Sequence, residues 1–117
     1  SLISICSRAF RVLIMRDMAQ VNMSLFDSLL KTPFAKSIEY LDLSSCENQN
    51  KATLSKIGQF LNLKTLILQK SKIKDADLSV FEKDFRSLNK LNLKGCSSLT
   101  LSAIEILDKR RPLLAVL

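Results

Sequence analysis

The sequence predicts an α/β solenoid: strand–helix units stacked side by side, with a short parallel sheet on a concave face and helices on a convex face. Two observations carry this expectation. An apolar pattern, LxxLxL, begins at Phe10, Ile38, Leu63 and Leu88 and in truncated form at Leu113, giving steps of 28, 25, 25 and 25 residues. Repeats with a period of roughly 20–50 residues mark stacked architectures in which neighbouring units share one core strip. Within each copy the apolar spacing then changes from two, which suits a strand, to three or four, which suits a helix.

Taken in order, the copies open FRVLIMRDM, IEYLDLSSC, LKTLILQKS and LNKLNLKGC. Positions 1, 4 and 6 are apolar throughout: Phe10, Leu13 and Met15; Ile38, Leu41 and Leu43; Leu63, Leu66 and Leu68; Leu88, Leu91 and Leu93. A short strand is expected at each, followed by a crossover helix, because parallel strands need such a connection. Leu25, Leu29 and Leu30 would be the inward face of the first helix, and Leu54, Ile57 and Leu61 that of the second. Asp75 is expected to cap the third, placing Leu78, Phe81 and Phe85 against the strands. Ser102 and Glu105 read as a capping box ahead of Ile104, Ile106 and Leu107 in the fourth.

Position 9 carries Met18, Cys46, Ser71 and Cys96. As the chain leaves the strand its backbone groups turn inward, and a compact side chain that can hydrogen-bond suits that place, so Cys46, Ser71 and Cys96 are expected to be structural. The whole pattern resembles leucine-rich repeat proteins, most closely the cysteine-containing subtype associated with F-box proteins, whose repeat reads about LxxLxLxxCxxITDxxLxxLxxxCPx. The fourth copy carries the resemblance best, keeping Leu88, Leu91, Leu93, Cys96, Leu99, Thr100, Ile104, Leu107 and Pro112, with Arg111 where a second cysteine would fall. The third keeps Ile73, Asp75 and Leu78; in the second, Asn48, Gln49 and Asn50 depart from the pattern. No F-box pattern precedes the repeats. The 117 residues read as a single repeat domain, 1–117, with 1–9 a cap or the end of a preceding repeat and 113–117 a partial copy. A fragment of a longer array and a very short array with improvised caps both fit.

Composition narrows the function classes. There is no His, only two Gly and three Cys, and no Gly-rich phosphate loop or CxxC pair, so no catalysis, cofactor or metal site is expected. Cys46 and Cys96 lie two repeats apart, roughly 10 Å at the usual strand spacing, beyond disulfide reach. No segment approaches the roughly 18 uninterrupted apolar residues of a membrane helix, and Arg8 and Arg11 interrupt the N-terminal apolar stretch. The expected setting is a reducing one, cytoplasm or nucleus, or the host cytoplasm if the chain is a bacterial effector. The net charge of +7 allows anionic partners, with Lys70, Lys72 and Lys74 and the run Lys109–Arg110–Arg111 as the basic clusters.

The repeat spacing predicts a binding surface. Positions 3, 5 and 7 of successive strands would form three outward columns: Val12, Tyr40, Thr65 and Lys90; Ile14, Asp42, Ile67 and Asn92; Arg16, Ser44, Gln69 and Lys94. Position 8 adds Asp17, Ser45 and Lys70. Apolar Val12, Ile14, Tyr40 and Ile67 rimmed by charge suit a protein-binding patch, although β-branched residues also favour strands for their own sake. The leading expectation is a protein-interaction module, of the kind the resemblance associates with ubiquitin-ligase receptors, adaptors or effectors. Tyr40 and Ile67 would anchor the partner, and Arg16, Lys90 and Lys94 would meet its acidic groups. The alternatives are RNA or another polyanion bound through Lys70, Lys72, Lys74, Lys90 and Lys94, and a purely structural spacer. A homodimer through the terminal edge strand at 113–117 is also open.

Overall fold

The computed structural model describes residues 11–16, 23–46 and 49–117. The readings made at Phe10, Asp17, Met18, Asn48 and residues 1–9 lie outside them. Strands β1 (Val12–Ile14), β2 (Tyr40–Asp42), β3 (Thr65–Ile67), β4 (Lys90–Asn92) and β5 (Ala115–Val116) form one parallel sheet in the order β1-β2-β3-β4-β5. The register follows the repeat: Leu13, Leu41, Leu66, Leu91 and Val116 are successive partners on neighbouring strands. Leu41, Leu66 and Leu91 are fully buried, and so are Leu43 and Leu68 two residues on. The apolar row that the sequence predicts is therefore a continuous core strip.

The backbone ladder continues past the short strands. The position-6 amides of Met15, Leu43, Leu68 and Leu93 donate to Asp42, Ile67, Asn92 and Leu117 carbonyls, and those of Ser45 and Lys70 to Gln69 and Lys94 carbonyls. Position 8 lies in the left-handed region in each copy described: Ser45 and Lys70 have φ 59° and Gly95 has 75°. At Gly95 space also decides, since a Cβ would lie 3.0 Å from Lys70 Cγ of the preceding repeat.

Position 9 behaves as expected. Cys46 Sγ donates to the Met15 carbonyl at 2.8 Å and Cys96 Sγ to the Leu68 carbonyl at 3.0 Å, each reaching the preceding repeat. Ser71 Oγ lies 3.5 Å from Cys96 Sγ, and Cys46 and Cys96 are both buried. These bonds tie the turn of one repeat to the strand end of the last.

Helices α1 (Met23–Leu30), α2 (Lys51–Ile57), α3 (Val80–Lys83) and α4 (Leu101–Arg110) make the crossovers, together with 3₁₀ turns at Pro33–Lys36 and Asp75–Ser79. Several sequence expectations need correction here. Helix α4 starts one cap earlier than Ser102: Thr100 Oγ1 accepts from the Ala103 amide, and Ser102 lies within the helix. Asp75 does not cap its own segment. It stands inside the 3₁₀ turn and accepts from the Thr100 amide and hydroxyl of the next repeat, while Asp77 accepts from the Lys74 amide. The third crossover is thus a 3₁₀ turn followed by a short α-helix, although Leu78, Phe81 and Phe85 are buried as predicted. Leu61 is 66% exposed, because α2 ends at Ile57 and the chain has already left the helix. In α1 the buried pair is Phe26 and Leu29, with Leu25 and Leu30 half-buried; in α4 only Leu107 is fully enclosed, Ile104 is half-buried and Ile106 exposed. Leu113 is 94% exposed and Leu114 is buried instead, since the chain turns after Pro112 and presents the following residue to the core.

Two polar features ahead of α2 were not legible from the pattern. Asn50 caps α2 through a reciprocal pair with Thr53, at 3.1 and 2.8 Å. Just before it, Gln49 is buried with both side-chain amide atoms lacking any hydrogen-bond partner among the described residues. Its place is that of Leu99 in the fourth copy, an apolar slot holding an amide. Gln49→Leu removes an unpaired buried polar group, so it should raise stability by about 1–2 kcal/mol. Urea denaturation measures this, and a loss of stability would show that the amide has a partner in solution.

Candidate functional site

The sheet side chains opposite the buried leucines form the candidate site. Strand register places Val12, Tyr40, Thr65 and Lys90 in one line and Ile14, Asp42, Ile67 and Asn92 in the next. Val12 and Ile14 are 55% and 53% exposed, Tyr40, Thr65, Ile67 and Gln69 are half-buried, and Arg16, Lys90 and Lys94 are exposed. These match the predicted columns. Asp42 and Asn92 do not: they lie on this side of the sheet but are 1% and 8% exposed.

The reason is local hydrogen bonding. Asp42 Oδ1 accepts from the Ser44 amide at 2.9 Å and the Ser44 hydroxyl at 2.6 Å, and Oδ2 accepts from Arg16 Nε of the preceding repeat. Asn92 Oδ1 accepts from the Lys94 amide at 3.1 Å in the same relation, position 5 to position 7. An Asp or Asn two residues before a turn amide is a signal that sequence reasoning passes over when it counts only which way the strand points.

A cavity of about 380 Å³ opens between these rungs, lined by Arg16, Tyr40, Asp42, Ser44, Ser45, Ile67, Gln69, Lys70 and Asn92. Six of the predicted partner-binding residues meet there, joined by Ser44, Ser45 and Lys70, which position 7 and position 8 supply. Val12, Ile14, Thr65, Lys90 and Lys94 are not among its lining. Ile67 and Tyr40 give it an apolar flank and the turn residues a polar one.

Burial by itself would raise the Asp42 carboxyl, but the Ser44 hydroxyl, the Ser44 amide and the Arg16 guanidinium together outweigh it and hold the group below its ordinary value. Glu39 is likewise lowered, chiefly by its hydrogen bond and ion pair with Lys64 at 3.0 Å, with Arg11 adding to it at 3.5 Å. A carboxylate with a depressed folded pKa stabilises the fold above its unfolded pKa and loses that contribution as pH falls through the folded value. The destabilisation produced by Asp42→Asn should accordingly be about 1–3 kcal/mol at neutral pH and shrink below about pH 4. Denaturation of both proteins from pH 7 to 2 checks it, and a difference that stays constant would mean that Asp42 carries no charge-dependent stability.

The basic clusters divide. Lys70, Lys72, Lys74, Lys90 and Lys94 are exposed, and none is in an ion pair among the described residues. In the run Lys109–Arg111 all but Lys109 have partners among the described residues: Arg110 pairs with Glu82 at 2.9 Å on the surface, and Arg111 donates to the Phe81, Phe85 and Leu88 carbonyls. Among the described residues, no group of His, Cys, Asp and Glu is arranged to hold a metal ion, and no helix is long and apolar enough to cross a membrane.

A family model described as the At1g61320/AtMIF1 leucine-rich repeat domain matches residues 8–117. The chain belongs to this leucine-rich repeat family. Among solved structures, the leucine-rich repeat chain is similar to the tropomodulin C-terminal domain of Caenorhabditis elegans, with a TM-score of 0.68 at 12% identity, covering 99% of this chain and 81% of that one. At such identity the likeness concerns the fold alone. No curated protein matches the sequence. Leucine-rich repeat domains generally mediate protein–protein interaction, which directs attention to the open face of the sheet.

Proposed function

We propose that residues 1–117 act as one leucine-rich repeat solenoid whose sheet forms a concave face that docks a protein partner, as a recognition or adaptor part of a larger assembly. The observation that carries this reading is the pair Tyr40 and Ile67. They lie on adjoining strands, face away from the leucine core, remain partly open to solvent and flank a cavity that mixes apolar and charged lining. Apolar anchors inside a polar rim are the usual make-up of an interface centre. Arg16 and Lys90 and Lys94 on the exposed margin then meet acidic groups of the partner, while Val12, Ile14, Thr65 and Gln69 extend the contact.

The test is the double variant Tyr40→Ala, Ile67→Ala, assayed against proteins recovered with the wild-type chain by crosslinking. Affinity should fall by about 100-fold, as for loss of two anchors, whereas the melting temperature falls by less than about 5 °C. Parallel loss of binding and folding would identify the pair as packing residues. Binding that survives the double variant but collapses steeply with salt would transfer the function to the exposed lysines and a polyanion. Self-association through 113–117 has its own support, since Leu113 and Leu117 are 94% and 57% exposed beside the two-residue edge strand β5. Light scattering at the mass of one chain would remove it.

A further inference from the structure

Among the polar groups around the cavity, Asn92 differs from the rest. It is only 8% exposed, yet just one of its side-chain hydrogen-bonding atoms is engaged among the described residues. The engaged atom has to be the oxygen, because its partner, the Lys94 backbone amide, is a donor. The amide nitrogen therefore points away from Lys94. It has no partner among the described residues, although Asn92 lines the cavity. The residue is more than nine-tenths buried, so this N–H pair stands at the cavity surface as a fixed donor that the described residues leave unused, ready for an acceptor.

Its neighbours decide which acceptor. Among the described residues the carboxylate in the lining is Asp42, which already receives Arg16 and two donors from Ser44 and is only 1% exposed. Lys70, exposed and outside any ion pair, reaches over Gly95 at the rim, where its Cγ would be 3.0 Å from any Cβ placed there. A site with a neutralised acid, a fixed amide donor and a lysine outside the ion pairs of the described residues favours an anion over a neutral carbonyl, since charge-assisted bonds are roughly twice as strong. Ile67 at the wall adds preference for an aliphatic neighbour.

We infer that this cavity is a subsite for a side-chain carboxylate, the Asp or Glu of an extended partner segment with aliphatic residues beside it, read by the Asn92 amide. The inference rests on the docking reading above and names the chemistry of the partner at one point. It also explains why Asn92 is not Asp, the residue that position 5 carries in the second repeat. Either side chain would accept from the position-7 amide, but only the amide can donate outward.

The probes are two blocked peptides, acetyl-Val-Glu-Val-amide and acetyl-Val-Gln-Val-amide, titrated into the labelled full chain by NMR. The Glu peptide should move the Asn92 side-chain amide resonances saturably, and the Gln peptide should bind at least about tenfold more weakly. Asn92→Asp keeps the Lys94 bond and the shape and should abolish the Glu-peptide shifts, with the remaining spectrum unchanged. Lys70→Gln, at an exposed position, should weaken the Glu peptide severalfold and serves as the second variant if Asn92→Asp perturbs folding. Equal binding of the two peptides, shifts that bypass Asn92, or undiminished Glu-peptide binding by Asn92→Asp would each overturn the subsite. A free C-terminal carboxylate, supplied as acetyl-Val-Val, that binds where the Glu peptide does not would also overturn it. Dependence of partner binding on Tyr40 and Ile67 would stand through any of those results, so the two failures are distinguishable.

Discussion

Leu66→Ala should lower stability by about 3–4 kcal/mol, the upper part of the range for emptying a leucine site in a closed core. Leu66 is fully buried in the central strand, with Leu41 and Leu91 as its partners on either side. Removing it opens a void that neither neighbour can fill, because both are held in register by the ladder on two sides. In a stack each repeat is stabilised largely through its interfaces, so a gap in the middle weakens two of them at once. The same truncation at Leu13, half-buried in β1, should cost about half as much or less. Urea denaturation of both variants measures the contrast. A Leu66→Ala loss below about 1 kcal/mol would mean the row is not a shared core.

Arg111→Ala should cost about 2–3 kcal/mol, a large effect for a side chain that is only half-buried. Its guanidinium donates to the Phe81 and Phe85 carbonyls of the preceding repeat at 3.0 Å each and to the Leu88 carbonyl at the start of its own at 3.3 Å. Helix α3 is a single turn that ends beside Phe85, a non-glycine residue at φ 60°. An arginine bonded to both carbonyls holds this strained exit in place and satisfies acceptors that a four-residue helix leaves over. Arg111→Lys should recover less than half of the loss, because a single ammonium cannot reproduce the planar fork. Thermal denaturation should show a fall of about 10 °C for the alanine variant. If the lysine variant matched the wild type, charge alone would be at work and the geometry of the fork would not matter.

The leucine spacing alone was enough to place strands β1 to β4, their neighbours and their register. A period of 25 with apolar positions 1, 4 and 6 admits one arrangement in which Leu41, Leu66 and Leu91 are all hidden, and that arrangement is the sheet observed. The position-9 side chains were legible for the same reason: a compact donor recurring at the end of each strand has the carbonyl of the preceding repeat in front of it. The chain's membership of the leucine-rich repeat family follows from these features.

What escaped the sequence involves polar groups whose partners come from a different repeat or from a turn two residues away. Asp75 reads as a cap for its own helix, but the acceptor serves Thr100 of the next copy, because a 3₁₀ turn rather than an α-helix begins there. Arg111 reads as part of a basic run, yet it closes the end of a helix in the preceding repeat. Asp42 and Asn92 occupy outward strand positions, and only the turn amides of Ser44 and Lys94 draw them under cover. Apolar burial is additive along a periodic chain, so its pattern shows in one dimension. A hydrogen bond depends on which donor stands within about 3 Å of which acceptor, and that distance exists only once neighbouring repeats are packed together.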